Sequence, residues 1–295
     1  MTGRHRHNQL GPRRRSSAFS LMEMMVAVAL LAVIITALLT MFYETQRAFR
    51  GGASQVDVLE GGRSSTQLIG REVQEIYPAA TSNVVDFLAV PSPKGQPLVQ
   101  TLPGGEERAN LLQDLTFVTR FNDDWTVIAY RVADANLGVG ALFRWSFQTN
   151  LSQLKRVVDF AAAGWVPDPA ADSRVIDGVI HFRVSAYDAN GVLIPAENIK
   201  FSPSPALPTV TGVGYAFPTN FVLGPVAGFP ALPASIEVEL GILEPQALAA
   251  FRARTNIPSF NAQQFLRDRA NRVHLFKQRI PLRASQAAQS LVFGQ

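Results

Sequence analysis

Residues 19–43 read FSLMEMMVAVALLAVIITALLTMFY, and the last twenty of them, Met24 to Tyr43, contain only two polar side chains, Thr36 and Thr40. Twenty residues of α-helix rise ~30 Å, which is the hydrocarbon thickness of a bilayer. The segment is therefore long enough to span a membrane and longer than the apolar part of a typical secretory signal. A transmembrane helix near the N-terminus is the first prediction.

The residues ahead of Phe19 form a basic leader without any acidic residue. Its five arginines are Arg4, Arg6, Arg13, Arg14 and Arg15. Positive charge beside a span favours the cytoplasmic side of the membrane. We therefore expect the N-terminus in the cytoplasm and everything after Tyr43 on the other side.

Glu23 is a carboxylate inside the apolar block. An ionised acid costs ~2.5–3.5 kcal/mol at the centre of a bilayer and less near its edge. Two interpretations are open on this residue alone. Glu23 is either an acid solvated at the headgroups, or a charge that is neutralised by a partner when helices associate.

The segment from Phe19 to Ala27, preceded by its arginine leader, resembles the prepilin N-terminus shared by type IV pilins and the pseudopilins of type II secretion. The resemblance implies that a prepilin peptidase cuts between Ala18 and Phe19 and that the new amine of Phe19 is methylated. It also implies that Glu23, the fifth residue after the cut, acts in assembly by meeting the amine of a neighbouring subunit. Ala18 departs from the glycine usual in the family and is the smallest side chain that could replace it.

Composition agrees with a processed, anchored protein. Cleavage of the leader would remove five of the 27 basic residues, so the mature chain would have 22 basic and 23 acidic residues. Because this chain has no excess of positive charge, we predict no nucleic-acid partner. The predicted partners are the prepilin peptidase, other minor and major pseudopilins, and lipids of the inner membrane. The chain has no cysteine, which excludes disulfides and thiolate chemistry.

The residues from Glu44 to Tyr77 lack proline and predict that the helix continues beyond the membrane until Pro78. Gly51-Gly52 and Gly61-Gly62 predict bends or frayed turns, because each glycine costs about 1 kcal/mol relative to alanine in a helix. The apolar residues expected to lie on the globular domain are Val56, Leu59, Ile69, Val73 and Ile76.

After Pro78 the pattern changes to alternation with period two, which is typical of antiparallel strands. Regular alternation covers 143–147, 180–187 and 236–242, with Phe143, Trp145 and Phe147 expected on one face. Less regular strands are expected at 115–121, 125–132 and 273–282, with one or two short helices between Gln246 and Asn271. The predicted fold class is α+β and pilin-like, a long transmembrane helix stem followed by an antiparallel β-sheet domain.

The predicted organisation is a leader at 1–18, a transmembrane helix at 19–43, a stem helix at 44–77 and a periplasmic domain at 78–295. The segment order resembles the J-type minor pseudopilin, in matches spread over 62–75, 127–131, 142–144, 175–179 and 232–238. A W-type minor pilin of a type IV pilus is the close alternative. The resemblance implies a single-pass inner-membrane protein that enters a filament.

Two stretches are predicted to be irregular, Pro91 to Asn110 and Phe201 to Ile236. The second has no charged residue, seven prolines and five aromatic residues. Segments of this kind resemble the cores of protein interfaces. It is expected either to contact a partner subunit or to pack on its own domain.

We predict no catalytic residue, no metal site and no cofactor. His5 and His7 leave with the leader, and neither His181 nor His274 has a second ligand at metal spacing. The turns at Asp188 to Gly191 and at Asp123-Asp124 are predicted to be plain turns. The alternative from another class is a signal-anchored periplasmic enzyme or ligand-binding domain, which would not be cut at Ala18.

Overall fold

The computed structural model describes residues 20–79, 84–92, 98–101, 104–133, 135, 137–168, 172–201, 207, 209–218 and 232–283. Within these ranges the side chains of residues 50, 201, 210, 217 and 218 are not described. The chain divides into two compact units, Met1–Ala53 and Ser54–Gln295. Helix α1 (Leu21–Gln74) contributes residues to both.

In the first unit, α1 presents its apolar side chains to the exterior. From Leu21 to Tyr43 every residue is exposed, and the most apolar window of the helix has a mean hydropathy of 2.7. By length and composition this helix can cross a membrane. The segment predicted to cross the membrane is therefore helical, and the helix is long and apolar enough to do so.

In the second unit, α1 packs on the sheet through small residues. A Cβ on Gly61 would lie 3.1 Å from Ile176, and a Cβ on Gly62 would lie 2.2 Å from the ring of Phe276. The frayed turns predicted at the glycine pairs are absent, because α1 is helical without interruption through all four glycines. Because Gly61 and Gly62 have no side chain, the sheet can approach the helix closely there. This packing compensates for the poor helix propensity of glycine.

The buried face of α1 differs from the predicted one at its start. Val56 and Leu59 are exposed, whereas Val58 is buried. The prediction for Ile69, Val73 and Ile76 is confirmed, since all three are at most 2 % exposed. The helix ends at Gln74, because Ile76 forms a β-bridge with Thr119 and the Tyr77 amide donates to the carbonyl of Val118.

The predicted α+β fold class is confirmed by one large antiparallel sheet that follows α1. Among the described residues, nine strands of this sheet lie in the order β11-β10-β7-β6-β5-β4-β1-β9-β8, and β2 and β3 pair separately. The strands are β1 (Val85–Pro91), β2 (Val99–Thr101), β3 (Glu107–Ala109), β4 (Gln113–Phe121), β5 (Asp124–Ala133), β6 (Gly140–Thr149), β7 (Ser173–Tyr187), β8 (Glu197–Phe201), β9 (Val210–Pro218), β10 (Ser235–Leu243) and β11 (Val273–Pro281).

Each face of the central strands belongs to a different hydrophobic core. On β5, Ile128 and Tyr130 join the core that contains Ile69 of α1. The alternate residues Val127 and Ala129 join a second core on the opposite face. That face is covered by α2 (Leu154–Asp159) and the π-helical turn Phe160–Gly164.

The other helices confirm the prediction for the region after Gln246. They are α3 (Pro245–Arg252) and α4 (Ala262–Arg267), followed by a 3₁₀ turn at Ala270–Arg272. Phe251 and Phe265 pack edge to face with ring centroids 5.4 Å apart. These helices form a third core that includes Ile180 of β7.

The regular strand predictions are confirmed in position, but β6 leaves the core before its end. Phe143 is 2 % exposed, whereas Phe147 is 52 % exposed.

The turn after β7 is a plain turn as predicted: Asp188 Oδ1 accepts from the amides of Asn190 and Val192, and Gly191 has a φ of 79°.

The two stretches predicted to be irregular contain strands. Pro91–Asn110 holds β2 and β3, and Phe201–Ile236 holds β9, which pairs with both β1 and β8. Tyr215 of β9 belongs to the main core and donates its hydroxyl to the carbonyl of Ile194 at 3.0 Å. Of the five aromatic residues of Phe201–Ile236 that were considered for an interface, Phe221 and Phe229 lie outside the described residues.

Candidate functional site: the N-terminal end of α1

Ser20 and Glu23 close the first turn of α1 on each other. The Glu23 amide donates to the Ser20 hydroxyl at 3.2 Å, and the Ser20 amide donates to Glu23 Oε2 at 3.4 Å. Serine at the N-cap and glutamate three residues later form a capping box, which satisfies two amides that the helix leaves without partners. A carboxylate also interacts favourably with the positive end of the helix dipole.

Glu23 is exposed, like the apolar residues that follow it. Among the residues that the structure describes, no cation lies within ion-pair distance of this carboxylate, and its Oε1 accepts no hydrogen bond. Within the described residues, one carboxylate oxygen accepts a long hydrogen bond and the other accepts none. An exposed acid in this state can accept a donor from another molecule.

The other polar groups of the apolar segment are satisfied within the helix. Thr36 donates to the carbonyl of Ala32 at 2.8 Å, and Thr40 donates to the carbonyl of Thr36 at 2.9 Å. Such bonds let a threonine lie in hydrocarbon without a partner from another helix. Glu23 is thus the group in this segment whose charge requires a partner.

The residues predicted for processing adjoin this turn. Ala18 and Phe19, the predicted cleavage pair, lie outside the described residues, and Glu23 lies in the first turn of α1. The sequence interpretation treated Glu23 either as an acid solvated at the headgroups or as an intermolecular group, and it missed Ser20. The signal was available, because Ser-x-x-Glu before an apolar run is the sequence pattern of a capping box.

His181 and His274 both have partners among the residues that the structure describes. His181 is 2 % exposed, accepts the Leu111 amide on Nδ1 at 3.0 Å and places Nε2 3.2 Å from Glu239. Because Nδ1 accepts, the neutral ring carries its proton on Nε2 and donates it to the carboxylate. His274 Nε2 lies 3.0 Å from Glu244.

The exposed end of β6 forms an aromatic cleft of about 440 Å³. Trp145 and Phe147 stack with centroids 5.9 Å apart, and Phe160 of the π-helical turn lies 5.9 Å from Trp145. Arg156 also lines the cleft. No group of histidines and acids able to hold a metal ion occurs among the described residues.

The comparison with protein families matches a known motif to the N-terminal end of the chain. Residues 13–39 match the prokaryotic N-terminal methylation motif. The chain therefore carries the prepilin-type signal of type IV pilins and pseudopilins. Comparison with curated proteins and with solved structures gave no match.

The matched residues include the capping box and most of the apolar segment of α1. This signal supports a pilin or pseudopilin, and it implies processing by a prepilin peptidase and assembly with other pilins. The signal and the apolar helix together indicate a membrane-anchored, single-pass protein. The large sheet domain that follows gives the chain the predicted α+β arrangement.

Proposed function

We propose that the chain is a non-enzymatic minor pseudopilin of the J-type, a structural or tip subunit of a type II secretion filament. The observation that carries the proposal is the methylation motif at residues 13–39, on a helix whose apolar residues from Met24 to Phe42 are exposed and whose Thr36 and Thr40 are satisfied within the helix. A filament uses such a helix twice, first in the bilayer and then against the helices of neighbouring subunits.

In this proposal the peptidase cuts between Ala18 and Phe19, and Phe19 receives the methyl group. The new amine is positive and lies at the end of an apolar helix. The Glu23 carboxylate of a neighbouring subunit pairs with that amine, which removes two uncompensated charges from the apolar interior of the filament. The anchored domain, from Ser54 onwards, faces the periplasm.

The J-type assignment rests on the order of sequence segments and on the size of the domain behind the helix. A W-type minor pilin would have the same processed N-terminus and the same role for Glu23. The two differ in the filament system that incorporates them. Co-purification with the other pseudopilins of a secretion system, rather than with pilins, supports the J-type.

A variant at Glu23 tests the assembly step. Glu23→Val should leave the subunit inserted in the membrane, because valine is favourable there, but should abolish its co-purification with partner pseudopilins. Thr36→Val is the matched control, since it also removes a polar group from the apolar segment and should assemble normally. Normal assembly of Glu23→Val would contradict the proposed role of the carboxylate.

A further inference from the structure

We infer that a cavity between the start of β6 and helix α3 binds a small carboxylic acid with an apolar body, held by the guanidinium groups of Arg174 and Arg252. The cavity has a volume of about 340 Å³. Small-molecule sites in proteins typically measure roughly 300–1,000 Å³. All of its lining residues belong to the second compact unit, so this site is independent of the processing and assembly of the N-terminal helix.

The floor of the cavity is apolar because two hydrophobic cores meet there. Phe143 of β6 belongs to the core that α2 covers, whereas Leu248 and Phe251 of α3 belong to the core that α3 and α4 form. These three side chains are at most 7 % exposed, and each lines the cavity. A ligand with an apolar body would cover this surface and lose its own apolar contact with water, which is favourable.

The open side of the cavity carries positive charge. Arg174, near the start of β7, and Arg252, the last residue of α3, both line it with side chains that are about half exposed. Nη2 of each arginine pairs with the same atom, Oδ1 of Asp177, at 3.5 Å in the case of Arg252. Within the described ranges, no second acid pairs with either guanidinium, and no acidic residue lines the cavity. Two cations therefore share one carboxylate, which leaves one positive charge in excess.

This arrangement favours a carboxylate as the polar group of the ligand. A guanidinium has five N–H donors in a planar fork that matches the two oxygens of a carboxylate, and the pairing with Asp177 uses only part of them. The two Nη2 atoms already converge on one carboxylate oxygen, so their spacing suits this group. A ligand carboxylate bound by both arginines would balance the excess charge while its apolar body lies on the floor of the cavity.

The test is a titration of hydrocinnamate, a phenyl ring on a short chain that ends in a carboxylate, into the full chain in lipid nanodiscs. Saturation-transfer NMR measures binding, with empty nanodiscs as the blank. Hydrocinnamate should bind saturably, and its uncharged amide should bind at least about tenfold more weakly, as expected for the loss of hydrogen bonds to a charged group. Arg174→Gln and Arg252→Gln should each weaken hydrocinnamate binding about tenfold for the same reason. Arg156→Gln is the matched control and should bind normally, because Arg156 lines the aromatic cleft and not this cavity.

Two further variants separate ligand binding from a purely structural role of the arginines. Asp177→Asn frees both guanidinium groups from the competing carboxylate, so the affinity for hydrocinnamate should rise about threefold. Thr255→Trp places a large side chain at an exposed position of the lining and should abolish binding without disturbing the core.

Three results would overturn the inference. They are the absence of saturable binding, equal affinities for hydrocinnamate and its amide, and wild-type affinity in both Arg174→Gln and Arg252→Gln. Loss of binding in Arg156→Gln would also overturn it, because the ligand would then lie in the aromatic cleft. None of these results bears on whether the N-terminus is cut and assembled.

Discussion

Arg144 of β6 and Glu72 of α1 form an ion pair inside the second compact unit, with Nη2 of the arginine 2.8 Å from Oε1 of the glutamate. The hydroxyl of Tyr130 donates to the other carboxylate oxygen. Burial, followed by the hydrogen bond to Glu72, raises the pKa of Tyr130. The second half of α1 is thus fixed to the sheet by a charged contact as well as by apolar packing.

Removal of Glu72 should destabilise the domain strongly. Its side chain is 10 % exposed, so Glu72→Ala leaves Arg144 and Tyr130 without their acceptor, which costs about 3–5 kcal/mol for a buried pair. Glu75→Ala removes an exposed acid one residue past the helix end and should change stability by less than about 0.5 kcal/mol. Urea unfolding in detergent, followed by tryptophan fluorescence, measures both. Equal effects of the two variants would contradict the assigned contact.

Alanine substitutions at two glycines of α1 should have opposite effects. Nothing lies within 4 Å of a Cβ on Gly51, so Gly51→Ala should stabilise the helix by about 1 kcal/mol. A Cβ on Gly62 would collide with Phe276, so Gly62→Ala should destabilise the domain by about 1–3 kcal/mol despite better helix propensity.

The same unfolding measurement compares the two glycine variants. Phe276→Leu combined with Gly62→Ala should recover part of the lost stability, because the smaller side chain leaves room for the new methyl group. Stabilisation by Gly62→Ala alone would mean that the helix and β11 are not in the close contact described here.

Glu239 should make the stability of the domain sensitive to acid. The hydrogen bond from His181, followed by contacts to Lys277, lowers the pKa of Glu239 to about 2, although partial burial opposes the shift. A lowered pKa in the folded state contributes stability above the ordinary value of 4.5, and this contribution is lost as the pH falls from 4.5 towards 2.

The variant Glu239→Gln tests this dependence. Its unfolding free energy should fall less steeply between pH 4.5 and pH 2 than that of the wild type, because the variant has no carboxylate to protonate. Glu75→Gln, at an exposed acid, should retain the wild-type slope. Parallel curves for wild type and Glu239→Gln would exclude the assigned role of Glu239.

The strand β9 should be required for folding. Tyr215 is 6 % exposed in the main core, so Tyr215→Ala should cost about 3–5 kcal/mol, as for other buried aromatic residues. Val213 lies on the same strand with 55 % exposure, and Val213→Ala should change stability by less than about 0.5 kcal/mol. Thermal unfolding checks both, and a wild-type transition in Tyr215→Ala would restore the interpretation of this segment as a loop.

The features that sequence predicted well depend on local pattern. The apolar helix and the alternation of β7 and β10 each depend on residues that are close together in the sequence. The strand β9 was missed because Gly212 and Gly214 break its alternation and imitate a loop. A Cβ on Gly214 would lie 2.1 Å from the carbonyl oxygen of Ala89, so the glycines serve close approach of β1, which no local pattern reveals.

The glycine pairs of α1 were misinterpreted for a related reason. Helix propensity predicts a weak point at Gly62, but the ring of Phe276, far away in sequence, fills the space that glycine leaves. The buried position of Val58 and the exposure of Val56 likewise depend on where α1 meets the sheet. In each of these positions, contacts with residues distant in sequence determined the structure, and the local sequence pattern did not.

The proposed function requires that the chain is processed at its N-terminus and assembled as a pilin-like subunit. The intact mass of the protein purified from the membranes of its native host tests this requirement. We expect a chain that begins at Phe19, lacks residues 1–18 and carries one methyl group on the Phe19 amine. A protein that retains Met1 and the arginine leader would contradict it.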